Sequence, residues 1–294
     1  MTRRSIAFLI LGLWIAGMAL LYRRSSLRTP AQSLAEAGMR VGPGTFYFRV
    51  DESGKQIGAA SSAIDTTTAL ITATDFVRAA VIAQRDTFRL QARAESHYSR
   101  ALGFRDFIMK VEGDVPAFLL RGVLQGEGSN RTMQLTTETP NKHVTSQKFD
   151  VADLVFMPTI APLPMMLGNK THKPGTTMVV GMVDPLSRTV KKVRIRIHKD
   201  SLFTVTDSAA LDSASGRWVT AHQDTVRGWL ISGDVPTVVA WVDESGRMIA
   251  ASEPGGMSVM RTAFEMAFEN WRLDQAAADS AAKAGRPTAT GKRK

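Results

Sequence analysis

The chain has 294 residues, is 44% hydrophobic, carries a formal net charge of +10 and contains no cysteine. That length and apolar content support one large folded domain or two small ones, and exclude collagen-like and wholly disordered chains. A cysteine-free chain has no disulfide, thiolate metal site, thiol nucleophile or acylated cysteine.

The first feature in chain order is Ile6–Tyr22, IAFLILGLWIAGMALLY, an uncharged run between Arg3-Arg4 and Arg23-Arg24. A helix rising 1.5 Å per residue needs ~17–25 residues to cross a bilayer. Leu20-Leu21-Tyr22-Arg23 at its end lacks the small residues of a signal-peptide cleavage site. We therefore read residues 1–24 as a retained single-pass anchor, with Ile6, Leu9, Leu13, Trp14, Leu20 and Tyr22 in the membrane. Arginines flank both ends, so the positive-inside rule gives no orientation. The Thr-, Ser- and Asp-rich β-pattern downstream, without nucleotide motifs, suits export. The expected location is the inner membrane, with the bulk of the chain in the periplasm.

Residues 25–44 read as a polar linker, with one short helix around Ala31–Ala37 and a close at Gly42-Pro43-Gly44. A β-rich domain is expected over residues 45–273. Phe46, Phe48 and Val50 alternate with Tyr47 and Arg49, the period-2 pattern of a half-buried strand. VDESG follows at Val50–Gly54, and an extended pattern resumes at Gln56–Ile64, so the pentapeptide reads as a hairpin turn. In Thr87–Ser96, Phe88, Leu90, Ala92 and Ala94 share one face. Phe104–Val111, Ala117–Leu124, Thr132–Glu138, Met178–Val183, Val190–His198, Leu202–Thr206, Trp218–His222, Val226–Ile231, Val238–Val242 and Arg247–Ser252 are further strands. Closely spaced strands with Gly, Asp and Pro turns predict a mainly β fold: a large antiparallel sheet, sandwich or open barrel.

Two segments interrupt this pattern. Phe156–Leu167, FMPTIAPLPMML, holds three prolines among apolar residues and cannot form an ordinary ladder strand. Either it folds back over the core, or it is an exposed patch in which Phe156, Met157, Ile160, Leu163, Met165 and Met166 bind a partner. Ser258–Leu273 places Met260, Ala263, Phe264, Ala267, Phe268 and Trp271 at spacings of three and four, which predicts a C-terminal amphipathic helix capped by Ser258. Residues 274–294 read as a flexible basic tail.

In KKVRIRIHK, Lys191–Lys199, alternation puts Lys192, Arg194, Arg196 and His198 on one face and Val193, Ile195 and Ile197 on the other. The result is a basic stripe on a sheet. It lacks the interleaved aromatics of a nucleic-acid surface, and no helix-turn-helix or zinc module accompanies it. Anionic lipid or the acidic surface of a membrane partner suits Lys192, Arg194 and Arg196 better.

Catalytic patterns are not evident. The five histidines lie far apart in sequence, without metal-ligand spacing, and there is no G-x-S-x-G, P-loop or G-x-G-x-x-G motif. Asp51/Glu52 and Asp243/Glu244 fall in turns, where solvated acids are ordinary. No catalytic residue, metal site or cofactor is expected.

The word VDESG returns at Val242–Gly246, within AWVDESGRMIAAS and ahead of an apolar stripe. The two copies are offset by 192 residues, whereas the repeated GDVP at Gly113 and Gly233 is offset by 120, so simple tandem duplication does not explain both. Both copies read as exposed turns. The aromatic strand, the VDESG hairpin and the Trp241–Arg247 hairpin together resemble a bacterial envelope β-domain found upstream of transglutaminase-like domains, and more loosely the curved sheet of lipoprotein carriers. A transglutaminase-like triad needs a cysteine that this chain lacks, so the resemblance implies the β-domain without its enzyme. The expected function is a non-enzymatic accessory or scaffold subunit bound to a membrane protein complex, of the energy-transducing or envelope-assembly kind. The alternative is a periplasmic carrier of a lipid or other hydrophobic ligand.

Overall fold

The structure is a computed structural model that describes residues 29–83, 86–126, 130–151, 154–168, 172–184, 187–234, 239–252 and 256–284. The anchor residues Ile6, Leu9, Leu13, Trp14, Leu20 and Tyr22 lie outside them. Among the described residues, no helix is long and apolar enough to cross a membrane.

One large curved sheet of fifteen strands dominates the fold. Its first half is an antiparallel meander, β1 Gly44–Glu52, β2 Lys55–Thr66, β3 Leu70–Ala83, β4 Asp86–Ser99, β5 Phe104–Gly113, β6 Phe118–Gln125, β7 Thr132–Glu138 and β8 Val144–Asp150. The chain then crosses to the far edge and returns through β9 Val155–Phe156, β10 Thr177–Asp184, β11 Thr189–Asp212, β12 Arg217–Gly233, β13 Val239–Val242, β14 Met248–Ser252 and β15 Met257–Thr262. β15 joins the halves by pairing with β1, and among the described residues only β9 with β10 is parallel. The inner face of the curl holds the main core, from Ile71, Tyr98 and Leu120 to Val180, Ile195 and Val242.

Two short helices fill the interior. Pro30–Arg40 forms α1, and Leu163–Gly168 forms α2. Thr29 and Gln32 build a reciprocal capping box and Pro30 opens the first turn, so the N-terminus of α1 is encoded locally. Ala37 is fully buried, and Ser33 Oγ donates to Gly168 O of α2 at 3.3 Å. Ala37 and Val41 of the expected linker therefore belong to the core.

The two copies of VDESG fold differently. In the first, Glu52 pairs with Lys55, and Ser53 and Gly54 both have positive φ (51° and 81°), giving a two-residue turn of the primed type. Asp51 is engaged by Arg49 Nε at 2.6 Å. In the second, the residue two places before the aspartate is Trp241, and no such arginine competes. Asp243 Oδ1 then accepts from Ser245 N (2.9 Å), Ser245 Oγ (2.6 Å) and Arg247 N (2.9 Å), curling a five-residue loop between Val242 and its partner Met248. The expectation of an exposed turn holds for Ser53 and Gly54 of the first copy; in the second Glu244 is exposed, but Asp243, Gly246 and Arg247 are buried.

The C-terminal region also departs from the sequence reading. Met257–Thr262 is a strand, because the gap between β1 and β14 needs one, and the helix begins after it. A π-helical turn, Glu265–Glu269, leads into α3, Asn270–Ala284, so the expected flexible tail is helical up to Ala284. Ala267 and Trp271 pack on Ala59 and Ala80 of the outer sheet face. Gln56 Nε2 donates to Ala267 O at 2.7 Å, tying the π-helical turn to β2.

β11 and β12, each read from sequence as two separate strands, are continuous and extend past their neighbours as a long arm. The arm's tip docks on α3: Arg217 makes two bonds to Asp274 (2.7 and 3.0 Å), and Trp218 exchanges two with Asn270.

The two turn glycines differ in surroundings. A Cβ at Gly54 meets nothing within 4 Å, whereas one at Gly246 would lie 2.9 Å from Leu163 Cα of α2. Gly54→Ala should cost about 1–2 kcal/mol for its left-handed backbone. Gly246→Ala should cost distinctly more in urea unfolding, because backbone must also shift.

Candidate functional site

Phe156, Met157, Ile160, Leu163, Met165 and Met166 are all buried, at 3% exposure or less. The partner-binding role considered for them is therefore corrected: they plug the inside of the curled sheet and offer no outer surface. Tyr98 holds the segment's start. Its ring stacks on Phe156 at 6.0 Å between centroids, and its hydroxyl accepts from Met157 N at 3.0 Å. Burial pushes the Tyr98 hydroxyl well above its ordinary pKa, so it stays neutral.

A second polar tie lies at Asp75 on β3. Thr159 Oγ1 donates to Asp75 Oδ2 at 2.6 Å, while Oδ1 is sealed from water without a hydrogen bond. Burial raises the Asp75 pKa, and bonds from Thr159 and Ser62 offset part of that rise.

The basic stripe stands where alternation placed it. Lys192, Arg194 and Arg196 are exposed, and Val193, Ile195 and Ile197 are buried beneath them. None of the three side chains forms an ion pair among the described residues. Neighbouring Lys191 is different, because it holds Asp184 at 2.7 Å. Burial alone would raise the Asp184 pKa, but bonds from Lys191 and Ser187 bring it down to about 2.

The densest convergence of charge is one that the sequence reading missed. Arg247, at the end of the second VDESG loop, and Arg261 of β15 both lie over the ring of Phe46, with guanidinium carbons 5.4 and 3.9 Å from its centroid. Arg247 Nη2 donates to Gly42 O, and Arg261 Nη1 lies 3.5 Å from Asp243 Oδ2. Arg247 is 9% exposed, and its Nη1 is buried with no partner. A buried donor left unmet costs about 1–3 kcal/mol, and more when charged. Burial lowers the Arg247 pKa, Asp243 counteracts this, and Arg261 adds to it. The only sequence signal was the arginine that follows one VDESG copy and not the other.

Asp207, His222 and Asp224 meet on the arm with ligand atoms within 4.8 Å of one another. Sequence spacing did not reveal the group, because its members come from two strands whose pairing, Thr206 with Gln223, sets Asp207 beside His222. All three are exposed, and His222 Nδ1 already pairs with Asp207 at 2.9 Å. The hydrogen bond with Asp207 raises the His222 pKa, which favours a protonated ring over a metal ligand.

No family model matches the chain, and no curated protein matches it. Two solved structures are similar in fold. One is a β-barrel-like protein of domain of unknown function DUF1849 from Brucella abortus, with 11% identity, 76% of this chain and 95% of that chain covered, and a TM-score of 0.49. The other is a DUF1089 family protein from Pseudomonas aeruginosa, with 14% identity, 67% and 90% covered, and a TM-score of 0.36. Both are described as bacterial proteins, and neither is described as transglutaminase-associated. At these identities the likeness concerns the fold alone.

The Asp75 geometry has a consequence for stability. A carboxyl whose folded pKa is raised is favoured when protonated, so its contribution is present at low pH and lost as pH rises through the folded value. Asp75→Asn keeps an acceptor for Thr159 and removes the charge. It should raise the urea midpoint at pH 7, and this advantage should disappear below about pH 4, where unfolded carboxyls also protonate.

Proposed function

We propose that the protein is a membrane-tethered, non-enzymatic accessory subunit whose periplasmic β-domain binds a membrane protein complex through the stripe Lys192, Arg194 and Arg196. The observation that carries this reading is the exposed, unpaired basic row on a strand whose other face is locked into the core. A rigid row of like charge favours an acidic partner surface and loses little conformational freedom on binding. The tether is Ile6–Tyr22, and the partner is an integral complex of the energy-transducing or envelope-assembly kind. The likeness to the β-domain that precedes transglutaminase-like domains fits a module used for binding. The carrier alternative is the weaker one, because the interior it needs is occupied by Phe156, Ile160, Leu163 and Met166.

Reversing the stripe tests this function. Lys192→Glu, Arg194→Glu and Arg196→Glu are surface changes, each expected to alter stability by about 0.5 kcal/mol or less. Affinity purification from native membranes in mild detergent should recover a stoichiometric membrane-protein partner with the wild type and lose it with the triple variant. A monomer from wild-type membranes, or equal recovery with both, would contradict the proposal.

A further inference from the structure

The arginine pair behind the second VDESG loop has more positive charge than its immediate surroundings neutralise. Among the described residues, Asp243 is the one carboxylate that forms an ion pair with either arginine, and its Oδ1 is taken up by three donors of its own loop. Its Oδ2 faces Arg261. Asp207 and Asp224 contribute to the field at Arg261, but neither forms an ion pair with it among the described residues. Among the described residues the Arg247 guanidinium has one hydrogen bond, from Nη2 to Gly42 O, while its Nη1 is buried with none.

A purely structural staple explains the bond to Gly42. It does not explain a second guanidinium brought to the same phenyl ring, nor a buried charged donor left without an acceptor. Guanidinium groups present paired, planar donors that match the oxygens of carboxylates and phosphates. Both guanidinium carbons lie over the Phe46 ring, which holds the two groups near each other before any anion arrives.

We infer that Arg247 and Arg261, aligned on Phe46, form a binding site for an oxyanion, a carboxylate or phosphate group. The anion reaches the pair through Arg261, whose side chain keeps 20% of its surface exposed, and supplies the negative charge that Asp243 alone does not. Such an oxyanion can come from a soluble metabolite or from an anionic lipid headgroup. The site is independent of the basic stripe, since it lies on the inner-face row of Phe46 and Phe48, where Arg261 pairs with Phe48.

The test uses the full chain in detergent. Calorimetric titration is performed with inorganic phosphate, acetate, dihexanoyl phosphatidylglycerol and dihexanoyl phosphatidylcholine, with sodium chloride at matched ionic strength as reference. At least one anion should bind, and Arg261→Gln should weaken that binding tenfold or more. Thermal unfolding of the wild type should shift upward with the same anion and not with chloride. Phosphate or acetate binding assigns a free oxyanion, whereas phosphatidylglycerol binding alone assigns a lipid headgroup. Arg247→Lys keeps the charge but loses the planar fork and should also weaken binding; if it fails to fold, Arg261→Gln still decides. No binding of any of the three anions above the chloride reference, or equal affinity in Arg261→Gln, would overturn the inference.

Discussion

A fifteen-stranded sheet that curls on itself encloses a space that must be filled, and here the filling comes from the chain between its two halves. Phe156, Ile160, Leu163, Met165 and Met166 occupy that interior with α1 and α2. Each such burial stabilises by about 1.5–3 kcal/mol, so the five together reach about 10 kcal/mol, comparable to the net stability of an ordinary domain at about 5–15 kcal/mol. Curvature, plug and edges are linked. The β1–β15 ladder joins the two halves at the middle of the sheet, and because no ladder among the described residues joins the edge strands β8 and β9, contacts across the interior, such as Tyr98 on Phe156, tie the far ends to each other.

The same constraint decides what the plug can contain. After the Phe156–Met182 pair, three prolines rule out ladder pairing over Met157–Leu167 but permit compact turns, and the local bonds Ala161 N to Met157 O and Met166 N to Pro162 O show those turns forming. Where the plug passes the loop at Gly246, glycine is needed because α2 backbone lies against it. The second VDESG loop is thus shaped by its own aspartate and seated by the plug, and this carries Arg247 inward to Arg261 and Phe46. The outward stripe on β11 and this inner cluster are two separate concentrations of positive charge, consistent with the net charge of +10.

Legibility from sequence followed one-sidedness. β11 alternates over Lys192–Ile197 because one face is buried and the other wet, and its faces were readable from Val193, Ile195 and Ile197. β3 was missed because α3 covers its outer face near Phe76 and Ala80, so apolar residues appear on both sides and alternation is lost. β8 was missed for the opposite reason, since nearly all of Val144–Asp150 is exposed. β15 was read as helix because Met260, Ala263, Phe264 and Ala267 keep helical spacing across a strand-to-helix junction. Long-range needs, such as a strand to fill the gap beside β1 or an arginine seated on Phe46, leave little trace in local pattern.

The central claim is that the plug folds with the sheet as one cooperative unit. Native-state hydrogen exchange on the full chain, resolved to single amides, tests it most directly. The amides of Ala161, Leu163, Met165 and Met166 should exchange only with global unfolding, at the same free energy as Leu120 in β6. Fast exchange of those four amides while Leu120 remains protected would contradict the account, because the interior would then be able to empty without unfolding the sheet.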